Sequence, residues 1–201
     1  VAPRVFEGCW GPEPCLASFG SAYWTLNELM TLRDSIGSAI QALSNAGYDG
    51  QTILGNISFT RQRGRGSIAF PYNHVGLGNV TELTIWHEMA HHISFRNGRV
   101  TQDEYYNFAE GFVSAANLQY EWDNFCFRDY CAREYPHILR GYTGQGPEYW
   151  ADAFAAWVYM ETNNSVPDGS NGAPNWIRDN NNPNWQAISR GVEWSLIVTF
   201  N

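Results

Sequence analysis

"TIWHEMAHHI", residues Thr84 to Ile93, places three histidines and a glutamate within six positions of a chain that has only five histidines. If the stretch is helical, His87 and His91 lie on one face, four residues apart, with β-carbons about 5–6 Å from each other. Two imidazoles on adjacent turns can then reach one zinc at roughly 2.0–2.1 Å. Glu88 sits one step round the helix from His87, where it can take a proton from water without binding the metal. Zinc lowers the pKa of a water it holds to about 7. His92 is turned about 100° from His91 and is read as packing or solvent-facing.

The flanks support a helix. Asn79 as cap with Glu82 three residues later reads as a capping box, and Asn97–Gly98 ends the run, so a helix is expected over 80–96. Upstream, Thr25 and Glu28 form a second capping box. The apolar period Leu26, Leu29, Met30, Ile36, Ile40, Leu43 runs on to Gly47, with Arg33 the polar exception. "TILGNISFT" (52–60) and "SIAFPYNHV" (67–75) read as two strands joined by "RQRGRG". That tip carries Arg61, Arg63 and Arg65, read as a solvated turn ahead of an anion contact. Pro71 suits an edge strand, on which Tyr72, Asn73 and His74 face a cleft. A helix is expected over 103–120, another from Pro147 in "PEYWADAFAAWVYMET", and a last one over 185–198. Asn, Gly and Pro dominate 163–184. Helix, strands and then mostly helices argue an α+β fold, and no linker or repeat divides residues 1–201, read as one domain.

Two histidines do not complete a catalytic zinc site; a third protein ligand is needed, leaving one position for water. The extension His-x-x-Gly-x-x-His fails, because Ser94 and Asn97 occupy the required places. Glu148 and Asp152 are again four apart. One carboxylate can bind metal while the other accepts a proton from the far nitrogen of a ligating imidazole. Glu110, His137 and Asp152 itself are the other candidate ligands. For transition-state stabilisation, Tyr142 in "RGYTGQG" leads, followed by His137 and Tyr149.

His-Glu-x-x-His followed by Glu-x-x-x-Asp on a later helix resembles the gluzincin metallopeptidases. "EYWADAF" (148–154) is similar to the Glu-x-x-Ala-Glu-x-Phe stretch of anthrax-lethal-factor-like peptidases, with Asp in place of the second Glu. That resemblance implies a zincin-like domain with a small mixed sheet, an active-site helix and a helical C-terminal part. It makes Glu148 the third ligand, Asp152 the residue orienting a ligand, Glu88 the general base, and an upstream tyrosine, Tyr142, a stabiliser. The expected activity is zinc-dependent endopeptidase cleavage of a peptide or protein substrate. An aminopeptidase or other zinc hydrolase on the same scaffold, and a binding or toxin-like module with structural zinc, are the alternatives. Retention of Glu88 favours the enzyme, since a structural site has no use for it.

The remaining composition sets the context. Cys9, Cys15, Cys126 and Cys131 form two close pairs without the Cys-x2-Cys spacing of structural zinc. Of the three possible connectivities, Cys9–Cys15 with Cys126–Cys131 closes the shortest loops. Two disulfides imply an oxidising compartment, so a secreted protein is expected. The net charge is −8, and all twelve basic residues are arginines. An acidic surface argues against nucleic-acid or anionic-membrane partners. No apolar run approaches the roughly 20 residues of a spanning helix, and a monomer is expected. Sequons stand at Asn56, Asn79 and Asn163.

Overall fold

A computed structural model describes residues 23–62, 66–70, 73–96, 126–127, 130–131, 145–165 and 185–200. The first helix, α1 (Leu26–Asn45), begins at the expected box: Thr25 N–H donates to Glu28 Oε2 at 2.8 Å, and Glu28 N–H donates back to Thr25 Oγ1 at 3.2 Å. Its end is a Schellman turn. Tyr48 N–H reaches the Leu43 carbonyl, Gly47 N–H reaches that of Ser44, and Gly47 adopts φ 89°, which costs glycine nothing. The buried face is set by Ser35, Ala39, Ala42 and Leu43. Leu26, Leu29 and Met30, expected on the apolar stripe, are exposed.

The chain then departs from the expected strand at 52. Asp49 caps a short helix, α2 (Gly50–Leu54), accepting from Gln51 N–H, Thr52 N–H and the Thr52 hydroxyl. Three satisfied donors outweigh the β-preference of Thr52 and Ile53. Gly50 passes so close to α1 that a β-carbon there would lie 2.8 Å from the Ile40 carbonyl oxygen. The strands follow as β1 (Ser58–Arg61), β2 (Ile68–Phe70) and β3 (His74–Leu77).

The expected pairing of two consecutive strands is corrected. The second run is two strands, and the sheet order is β1-β3-β2, with β1 parallel and β2 antiparallel to β3. Burial explains the order. Val75 and Leu77 of β3 are fully buried, as a central strand demands, whereas every β1 residue is half-buried and Ile68 of β2 is exposed. Arg61 closes the sheet instead of decorating a loop tip. Its guanidinium donates to Glu28 of α1 at 2.9 Å and to the carbonyls of Leu77 and Gly78 at 2.8 and 2.7 Å. Arg63, Arg65, Pro71 and Tyr72 lie outside the described residues.

Helix α3 (Glu82–Arg96) starts two residues later than expected, with Thr81 in place of Asn79 as the capping group: Thr84 N–H donates to Thr81 Oγ1, and Ile85 N–H to its carbonyl. A small hairpin follows, β4 (Cys126–Phe127) and β5 (Tyr130–Cys131), with Cys126 directly opposite Cys131. Opposed α-carbons in an antiparallel pair lie about 4.5–5.5 Å apart, inside the span a disulfide bridges. Cys9, Cys15 and the helix expected over 103–120 lie outside the described residues.

Helix α4 (Gln145–Asn163) begins two residues before Pro147, and α5 (Trp185–Phe200) closes the chain. The core lies where α3 packs along α4, its most extensive partner, with α1 and the sheet against α3 and with α5 against α4. Trp86, Trp150, Phe154 and Trp157 are its largest buried side chains. The fold is α+β with a small mixed sheet. Among the described residues no helix is long and apolar enough to cross a membrane.

Candidate metal centre

Helix α3 brings its histidines together as their spacing requires. His87 and His91 rings stand 4.7 Å apart, nearly perpendicular at 84°, and their Nε2 atoms approach to 3.1 Å. The other nitrogen of His87, Nδ1, lies 2.8 Å from Oδ1 of Asp152 on α4. Both side chains are mostly shielded, at 18% and 16% exposure. A carboxylate only accepts, so Nδ1 carries the hydrogen, and the neutral ring then has its lone pair on Nε2, toward His91. His91 is buried beside it.

This donor arrangement fits zinc. Two nitrogens, each about 2.0–2.1 Å from a tetrahedral zinc, stand about 3.3 Å apart, close to the 3.1 Å found between the Nε2 atoms. The carboxylate on the far nitrogen is the partner that ligating imidazoles use to set tautomer and orientation. The contact turns Oδ1 of Asp152 to Nδ1 of His87 and not to the Nε2 pair.

The rotation of α3 is held from behind. The buried Trp86 indole N–H donates to the Ser35 carbonyl on α1 at 2.8 Å. His92 is wholly buried, its Nε2 donating to the Leu54 carbonyl at the end of α2 at 2.9 Å. It packs, as expected, and takes no part in the histidine pair. Met89, Ala90 and Ile93 fill the remaining inward positions. With that face anchored, His87 is turned toward α4. Glu88 follows it in sequence and is 5% exposed, a carboxylate held in a mostly dry setting.

The acidic helix is only partly visible. Glu148 has its backbone in α4, one turn before Asp152, and its side chain lies outside the described residues, as does that of Tyr149. Tyr142, Glu110 and His137 also lie outside them. Among the described residues, no group of three or more His, Cys, Asp or Glu side chains is placed to hold a metal ion. A full donor set thus needs a ligand beyond those described.

His74, expected to face a cleft from an edge strand, lies instead on the central strand. Its Nδ1 is 3.1 Å from Ser58 Oγ and its Nε2 is 3.1 Å from Thr60 Oγ1, both on β1. Burial holds its pKa below the ordinary histidine range. Ser195 on α5 is a residue that sequence reasoning missed: it accepts the Trp150 indole N–H at 2.8 Å. A lone serine in an apolar helix carries no signal of such a contact.

No protein-family model, no curated protein and no solved structure matches the chain.

Proposed function

We propose that the chain is a zinc-dependent endopeptidase of gluzincin type with a zincin-like fold, acting outside the cell on peptide or protein substrates. The observation that carries this reading is the His87–Asp152 contact behind a facing Nε2 pair. A helical His-Glu-x-x-His has other uses, but a largely shielded carboxylate at the far nitrogen of its first histidine is the partner that ligating imidazoles use.

In this reading His87, His91 and Glu148 hold the ion. Zinc bound there supplies Lewis acidity toward the scissile carbonyl and lowers the pKa of a water beside it. Asp152 keeps the His87 hydrogen on Nδ1, so Nε2 always offers its lone pair. Glu88 accepts a proton from the attacking water as the new carbon–oxygen bond forms. It passes that proton to the amide nitrogen, which leaves as an amine when the carbon–nitrogen bond breaks. The low exposure of Glu88 supports this role, since it holds the carboxylate in one place beside the histidine pair. Tyr142 donates a hydrogen bond to the carbonyl oxygen as it gains charge. Two local disulfides, Cys9–Cys15 and Cys126–Cys131, belong to the same extracellular reading, as does a monomer without nucleic-acid or membrane partners.

The test is metal analysis of the wild type and Glu148→Ala, paired with cleavage of a mixed peptide library with and without chelator. One zinc per chain, its loss in Glu148→Ala and chelator-sensitive cleavage are expected. Cleavage that survives complete metal removal overturns the proposal.

A further inference from the structure

Helix α4 carries both acidic residues of the proposed centre, so its rotation and depth decide where their carboxylates stand. Trp150 lies between them, two residues after Glu148 and two before Asp152. Its ring is 1% exposed and packs against Phe154, centroids 5.6 Å apart. Its indole N–H donates to Ser195 Oγ at 2.8 Å. Ser195 is itself fully buried, and its hydroxyl donates to the Val192 carbonyl one turn earlier at 2.6 Å. The hydroxyl hydrogen is thus committed to α5, and the oxygen is aimed at the indole as an acceptor. An indole has one donor and a serine one hydrogen, so this chain of bonds has a single arrangement. It holds one side of α4, while the Asp152–His87 contact forms where α4 meets α3.

We propose that Ser195 is a positioning residue for the metal centre: by receiving the Trp150 indole it sets the rotation of α4 that places Asp152 against His87. The inference rests on the zinc reading above and extends it to the last helix. Loss of an outer partner of a metal ligand lowers affinity about 10–100-fold. Ser195 acts one step further out, so a loss of roughly tenfold, the low end of that range, is expected.

The experiment measures zinc affinity of the full chain by competition with a chromogenic chelator, beside the urea midpoint of the zinc-free protein. Four variants are compared with wild type: Ser195→Ala, Ser195→Thr, Trp150→Phe and Tyr48→Phe. Tyr48 also bonds to α5, but through the Glu193 carbonyl at 3.3 Å and not through Trp150, and serves as control. Roughly tenfold weaker zinc binding in Ser195→Ala and Trp150→Phe, recovered in Ser195→Thr and absent in Tyr48→Phe, supports the proposal. Unchanged affinity in Ser195→Ala overturns it, as does a loss that follows the urea midpoint equally in Tyr48→Phe. If Ser195→Ala does not fold, Trp150→Phe decides by the same two outcomes. A wild type that binds no zinc removes the functional reading itself, an outcome distinct from a wild type that binds zinc and a Ser195→Ala that binds it equally well.

Discussion

His87 Nδ1 and Asp152 Oδ1 meet at 2.8 Å across the α3–α4 interface, although 65 residues separate them in the chain. With Nδ1 donating there, the neutral ring turns the lone pair of Nε2 toward its neighbour on the next turn.

Asp152→Asn removes the charge while keeping an oxygen that can accept from Nδ1. Zinc affinity should fall about 10–100-fold, as for other outer partners of a metal ligand. Chelator competition measures it, with circular dichroism checking that α3 and α4 persist. An affinity equal to wild type speaks against the clamp.

Glu88→Gln is nearly isosteric in a buried position and removes the proton acceptor. It should keep zinc stoichiometry and the melting temperature while kcat/KM falls by at least about 10²–10⁴, the usual contribution of a positioned base. Comparable turnover by the variant assigns the proton transfer elsewhere.

His92→Ala deletes the bond to the Leu54 carbonyl and leaves that acceptor at the end of α2 without its imidazole partner. An unsatisfied buried group costs about 1–3 kcal/mol, and the vacated volume adds to it. Urea unfolding should show the loss, with one zinc still bound per chain. Loss of zinc from a protein of unchanged stability would make His92 a ligand, contrary to its place in the core.

His74 gives a pH dependence of definite sign. Burial depresses its folded-state pKa, so the unfolded chain binds a proton more readily. Its contribution is complete above the ordinary histidine pKa of about 6.5. It declines as pH falls from there to the lower folded value, and is level below that. Glu28 acts in a more acidic window. Its bond from the Thr25 backbone, then Arg61, hold its pKa below the ordinary carboxylate range. Its contribution is therefore present above that range and lost as pH falls through the folded value. Urea midpoints of the zinc-free protein from pH 8 to 4 should fall less between pH 6.5 and 5 in His74→Asn than in wild type. Parallel curves would count against the burial argument.

What could be read from the residues alone was local. The His87/His91 pair needed only the helical repeat, and the Thr25–Glu28 box and the Gly47 terminator needed only neighbours three to five positions away. Where two local signals compete, proximity does not decide. Asn79 and Thr81 are both competent caps, and the hydrogen bonds fall to Thr81. Asp49 turned an expected strand into α2, because its carboxylate satisfies donors that a strand would have left to the sheet.

Long-range choices were settled by burial. The sheet puts β3 in the centre, where Val75 and Leu77 share one face and are fully buried with α3 packed against the strand. The pairing of Trp150 with Ser195, like that of Asp152 with His87, depends on which faces of α4 meet α5 and α3. A helical repeat can say that two side chains share a face. It cannot say what that face meets, because the energy that settles it comes from apolar area buried between distant segments and from the polar partners that burial then requires. The sequence alone therefore determined the histidine pair and its neighbouring carboxylate; tertiary packing decided that Asp152 meets the far nitrogen of His87.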